Sequence, residues 1–143
     1  MYYSSYKDLL EQDIDAVIVT SENVNHVKHV VAAARAKKHV LCEKPIATTK
    51  EDAEFMIDIC NENNVILQMA FPVRFNTAIR RAKQMIDKGV LGRILAICGT
   101  NRGMNPGGWF TDRSKSGGGA VMDHTVHIVD IMRWFMNTEV KQK

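Results

Sequence analysis

Val40-Leu41-Cys42-Glu43-Lys44-Pro45 decides the reading of this chain. The first three residues are apolar and read as a short buried strand, which runs directly into an acid, a lysine and a proline. Pro45 has a fixed φ and no N–H, so it cannot extend a hydrogen-bonded ladder. Lys44 therefore sits at the rim of the sheet. On these six residues alone it is a solvated lysine at a strand end, and only the surrounding pattern can give it a task.

Upstream, Ser4 or Ser5 can cap a short helix carrying Leu9 and Leu10. Ala16-Val17-Ile18-Val19-Thr20 is a β-rich run of the kind buried on both faces of a parallel sheet. The polar turn Ser21-Glu22-Asn23 opens a helix with Val27, Val30, Val31 and Ala34 at the 3.6 period. Its end, Lys37-Lys38, suits the negative pole of the helix dipole, and it delivers the strand that ends at Lys44. Downstream the pattern repeats. Thr49 is the expected N-cap of a helix whose face is Ala53, Met56, Ile57 and Cys60, and Asn63-Asn64 can stop it in the left-handed region. Val65–Ala70 is the next strand. A further helix, about Thr77 to Lys88, shows Ile79, Ala82 and Ile86 on one side and closes at Gly89. Strand and helix alternating at this spacing predict right-handed βαβ crossovers and a parallel sheet, hence an α/β fold.

The character changes near Gly92. Arg93–Thr100 reads as another strand, then Asn101–Gly118 as a long loop with Trp109-Phe110 at its middle, then about Ala120 to Phe135 as a helix. We expect two domains, 1–92 and 93–143. Composition excludes other classes: 45% hydrophobic and 24% charged residues describe a globular chain, and a net charge of +3 with scattered basic residues gives no nucleic-acid stripe. No apolar run approaches a membrane span. Three separated cysteines, Cys42, Cys60 and Cys98, fit neither a disulfide framework nor a CxxC site, so a reducing cytoplasm is expected.

On the last helix Asp123, His127, Asp130 and Trp134 fall on one face if the period is 3.6. A carboxylate one turn from an imidazole can fix its tautomer and raise its basicity, which suits a general base. Acid–histidine pairs at this spacing are also common on idle helix surfaces. A metal site is disfavoured, because His124 and His127 have poor ligand spacing and no third histidine or cysteine is near. Gly117-Gly118-Gly119 can cradle an anion or act as a hinge. Trp109 and Phe110 can stack on a sugar or nicotinamide ring, or simply anchor the loop. No GxGxxG motif occurs in the sequence.

Taken together these stretches resemble the glucose–fructose oxidoreductase / inositol dehydrogenase / MocA family. The match is carried by Lys38–Pro45, ending in Glu-Lys-Pro, by Glu22-Asn23-Val24-Asn25-His26 for a Pro-Asn-x-x-His turn, and by Arg74-Phe75. Gly117–Asp130 matches a Gly-Gly-Gly…Asp-x-Gly-x-His-x-x-Asp pattern, with Thr125 in place of Gly. The resemblance implies the C-terminal part of a Rossmann-type parallel sheet followed by the start of a second α/β domain with a mostly antiparallel sheet. It implies hydride transfer between NAD or NADP and the CH–OH or carbonyl group of a sugar, polyol or related small molecule. Lys44, Asp123 and His127 would converge at the nicotinamide: His127 as base, Lys44 on the developing alkoxide, Asp123 positioning substrate or base. Ser21, Asn23, His26, Glu43, Lys44 and Arg74 would lie along the cofactor. Lys44, Trp109, Asp123 and His127 would meet substrate, with Arg102, Arg113 and Lys115 in the same loop region.

The family's Gly-rich turn and most of its second sheet have no counterpart in these 143 residues. The chain is therefore expected to be a fragment of a homo-oligomeric parent, with a bare strand edge at Ala16–Thr20 and negligible NAD(P) affinity by itself. Two rival expectations are a non-catalytic sensor that keeps the fold and a remnant without function.

Overall fold

The computed structural model describes residues 2–139. The chain forms two compact units, the first comprising residues up to Ala70 with Asn105–Gly119, the second comprising Phe71–Met104 with the chain from Ala120. The division falls at Ala70, and the segment 105–119 belongs with the first unit.

The first unit is built on three parallel strands, β1 (Ala16–Val19), β2 (His39–Glu43) and β3 (Leu67–Ala70), in the order β1-β2-β3. Val17 stands opposite Val40 and Val40 opposite Leu67, so alternate residues of the three strands share a face. The inward face carries Val19, Val40 and Cys42. It packs on α2 (His26–Arg35) and α3 (Lys50–Glu62) through Val30, Val31, Ala34, Met56 and Cys60. Val30, Ala34, Cys42 and Met56 are fully buried. The expectation that the first strand is buried on both faces is not met: Ile18 is 69% exposed. The reason is geometric. The α2–α3 layer lies over one face of the sheet, and a period-two strand hides only every second residue behind one layer.

The helix starts follow their caps. Before α1 (Tyr6–Leu10), Ser5 accepts the Lys7 N–H at 3.1 Å. Thr49 Oγ1 accepts the Asp52 N–H at 3.1 Å and opens α3, and Asn64 at φ 56 follows its end. In the second unit Asn76 Oδ1 accepts the Ala78 N–H at 2.9 Å and starts α4 (Thr77–Asp87), which runs out before Gly89 at φ 71.

Further sequence expectations need correction. Arg93–Thr100 is not a strand. A strand is defined by its ladder, and among the described residues nothing pairs with this stretch; Leu95 is 79% exposed. The loop after it is not featureless. It contains a 3₁₀ turn, Gly108–Thr111, and a short helix, α5 (Arg113–Ser116), capped by Asp112. The expected last helix is present as α6 (Val126–Met136), but Val121–Thr125 before it is a π-helical turn.

Candidate functional site

In the first unit the loops that leave the carboxyl ends of β1 and β2 carry the polar residues. Open parallel sheets bind ligands at that end. Lys44 follows the last residue of β2 and is half-buried, the Lys44–Pro45 peptide bond is cis, and Pro45 is buried. The Glu43 carboxylate accepts the Lys44 backbone N–H at 3.2 Å at the strand exit.

The β1 exit is denser. Ser21 Oγ lies 3.0 Å from His29 Nδ1. Burial holds the His29 imidazole below its ordinary value, helped by the charges of Lys28 and His26. Asn23 is 4% exposed and its Nδ2 donates to the Ser116 carbonyl at 2.9 Å. His26 is 1% exposed, with Nδ1 2.8 Å from the Pro45 carbonyl oxygen and Nε2 3.1 Å from that of Ser21. The 105–119 segment is tied to the same turn a second time, by Lys115 Nζ to Glu22 Oε1 at 3.2 Å. Gly117, at φ 78, lies so close to Thr48 that an added Cβ would overlap its side chain. Trp109 and Phe110 stack on each other, ring centroids 3.8 Å apart and 20° from parallel. Arg113 is exposed, and Lys115 is engaged with Glu22.

The second unit holds the acid and histidine of the last helix. Asp123 lies in the π turn and is half-buried; its Oδ2 is 3.5 Å from His124 Nε2. His127 is the second residue of α6, half-buried, with its ring edge-on to Phe71 at 6.5 Å and 84°. The rule of 3.6 residues per turn that put Asp123 and His127 on one face does not hold through the π turn, where bonds run i to i+5. Asn101 donates to the His124 carbonyl at 3.1 Å, and Arg102 is exposed.

Arg74 is a partner of α6. Its Nε donates to Asp130 Oδ2 at 2.7 Å, and Nη2 bonds the other carboxylate oxygen, a two-pronged pair. Asp130 is 3% exposed and Arg74 36%. The hydrogen bond to Asp130 raises the guanidinium above its ordinary value, against the opposing effect of burial. The guanidinium carbon lies 5.5 Å from the Trp134 ring centroid and 6.0 Å from that of Phe71. Sequence reasoning missed this pair. Arg74 and Asp130 are 56 positions apart, and the only signal was Asp130 on the helix face already singled out. The His26 contacts were equally hidden, because they run to backbone carbonyls that any residue supplies. No cluster of three or more metal-ligating side chains occurs among the described residues. None of their helices is long and apolar enough to cross a membrane.

Two family models match the sequence: an oxidoreductase family with an NAD-binding Rossmann fold over residues 1–71, and a GFO/IDH/MocA C-terminal domain over 79–142. Levoglucosan dehydrogenase of Pseudarthrobacter phenanthrenivorans is 33% identical over 140 residues, covering 93% of this chain and 36% of that protein. Myo-inositol 2-dehydrogenase of Thermotoga maritima is 34% identical over 142 residues, covering 96% and 42%. Among solved structures, aldose-aldose oxidoreductase from Caulobacter crescentus complexed with glycerol superimposes with a TM-score of 0.81 at 29% identity, covering 96% of this chain and 42% of that one. A levoglucosan dehydrogenase in complex with NADH and levoglucosan gives 0.81 at 31% identity, covering 93% and 38%. The chain thus spans about two fifths of the length of the relatives it matches. Both models are of one family, in the expected order along the chain: this chain belongs to the GFO/IDH/MocA oxidoreductases.

Proposed function

We propose that these residues serve an NAD- or NADP-dependent oxidoreductase that transfers a hydride to or from the CH–OH or carbonyl carbon of a sugar, polyol or related small molecule. The domain division that goes with it is 1–92 for cofactor and 93–143 for the start of the catalytic part. The observation that supports the reading most is the position of Lys44, on the loop leaving the carboxyl end of the central strand β2. A nicotinamide cofactor fits that end of the sheet, with Ser21 and the Glu43–Lys44 loop as the groups beside it. When bound, the nicotinamide supplies the hydride acceptor or donor. In the oxidative direction the carbinol C–H bond breaks with its electron pair leaving, the C=O bond forms, and the hydroxyl proton passes to an imidazole nitrogen of His127. The Lys44 ammonium stabilises the negative charge that develops on oxygen, and Asp123 orients substrate or base. Trp109 offers an aromatic face to a sugar ring. The accompanying location is a reducing cytoplasm, an expectation that rests on the three separated cysteines of the sequence.

The test is steady-state turnover of the protein carrying these residues, with NAD or NADP against a panel of polyols and aldoses. Lys44→Ala is expected to lower kcat by roughly 10²–10³ with little change in cofactor affinity. His127→Asn is expected to lower it by roughly 10²–10⁴. Turnover that survives both substitutions on a true substrate would refute the assignment.

A further inference from the structure

The imidazole of His26 is the most buried ionisable ring in the first unit, at 1% exposure. Its two nitrogens face two backbone carbonyls, Nδ1 to Pro45 at 2.8 Å and Nε2 to Ser21 at 3.1 Å. A carbonyl only accepts, so the ring must be the donor. A neutral imidazole has one N–H to give and an imidazolium has two. The shorter contact is the one to Pro45, and Nδ1 is taken as the nitrogen that donates. The two carbonyls belong to the loops that leave β1 and β2, and a rigid aromatic ring joined to both sets the spacing between them. Asn23, in the same turn and 4% exposed, holds a third segment by donating to the Ser116 carbonyl at 2.9 Å.

We infer that His26 is a positioning residue for Lys44: its Nδ1–H, donated to the Pro45 carbonyl, fixes the loop that carries the lysine, and the ring itself touches neither cofactor nor substrate. A long lysine side chain is aimed by its backbone, and about an ångström of misplacement at a reacting centre can cost 10²-fold in rate. Relevance to turnover rests on the role proposed for Lys44; the contact itself does not.

The test therefore needs no catalysis. Long-range proton–nitrogen correlation spectra of the chain with isotope-labelled histidine, at neutral pH, report which nitrogens of His26 carry protons. A proton on Nδ1, with or without one on Nε2, is the expected result, and a ring protonated on Nε2 alone overturns the inference. Amide hydrogen exchange on His26→Asn supplies the second reading. Exchange at Glu43, Lys44 and Ile46 is expected to rise about ten-fold or more while helix α3 keeps its protection. No rise there, or an equal rise in α3, overturns the positioning role. The spectra use the unaltered chain and stand even where the variant does not fold. Turnover that survives Lys44→Ala and His127→Asn, together with a protonated Nδ1, removes the oxidoreductase reading and leaves the clamp, whereas turnover lost in both variants with Nε2–H alone does the reverse.

Discussion

Replacing Arg74 separates a structural from a ligand-binding role for that residue. Arg74→Ala strands the Asp130 carboxylate, 3% exposed, with both of its guanidinium bonds gone. Removing one partner of a fully buried pair costs about 3–5 kcal/mol. Arg74 is itself 36% exposed, so water already reaches part of the site and the lower end applies, about 3 kcal/mol including the lost contacts over Trp134 and Phe71. The converse substitution is milder. Asp130→Asn keeps the shape and leaves a guanidinium that can turn to solvent, at about 1–2 kcal/mol. Arg74→Lys keeps charge but not the planar fork, and falls between. Urea unfolding followed by Trp134 fluorescence in a Trp109→Phe background reads all three, and a double-mutant cycle should give a coupling of about 2 kcal/mol. If Arg74 instead gripped a cofactor, Arg74→Ala would weaken NAD(P) binding and leave the unfolding midpoint nearly unchanged. Equal, small costs for Arg74→Ala and Asp130→Asn would refute the structural reasoning.

Three further outcomes are expected. Burial, then the charge of Glu43 and the neighbouring Cys60, push the Cys42 thiol from 9.0 up to about 12. Thiol-reagent labelling of the native chain should therefore give one fast cysteine, exposed Cys98, and two slow ones. In the folded chain Cys42 keeps its proton where the unfolded chain loses it, so this contribution is complete below pH 9.0 and is lost as pH rises towards about 12. The slope is at most about 1.4 kcal/mol per pH unit, and Cys42→Ala should remove it from a stability–pH curve; an unchanged slope would refute the account. Gly117→Ala meets both a φ of 78° and the Thr48 side chain. It should cost about 1–2 kcal/mol and raise amide exchange in 105–119, and unchanged exchange there would show that the segment is not held at Thr48.

What sequence showed well is what local physics determines. Thr49 and Ser5 cap helices because a hydroxyl beside free N–H groups has few alternatives, and the apolar runs at Ala16–Thr20, Val40–Cys42 and Val65–Ala70 contain the three strands. Three parallel strands in simple order follow from the alternation. What it did not show depends on partners distant in sequence. Arg93–Thr100 has strand-forming residues, but ladder formation is a property of a pair. Arg74 and Asp130 read separately as a loop cation and a helix acid. Asn23 and His26 read as polar turn residues, placed along the cofactor by the family resemblance; that both are buried and meet protein carbonyls is visible only in the structure. A buried polar group must be hydrogen-bonded, and backbone acceptors leave no mark in a sequence.

The acid–histidine segment shows the same limit in another form. Asp123 and His127 were placed on one face by counting 3.6 residues per turn, yet Val121–Thr125 closes as a π turn. A π turn accommodates about one residue more than an α turn, and one residue of an α-helix corresponds to about 100° of rotation. Residues before the turn are therefore swung round relative to those after it, and a helical wheel drawn from Gly119 to Phe135 misplaces one set or the other. The turn contains Asp123 and His124, whose side chains meet at 3.5 Å, and ends at Thr125, where the family pattern has glycine. A wider turn carries a bonding cost that a regular α-helix avoids, so its presence at the candidate acid is itself informative. The spacing Asp-x-x-x-His then fixes which residue lies inside the turn and which begins the regular helix after it, rather than marking two neighbours on a uniform face.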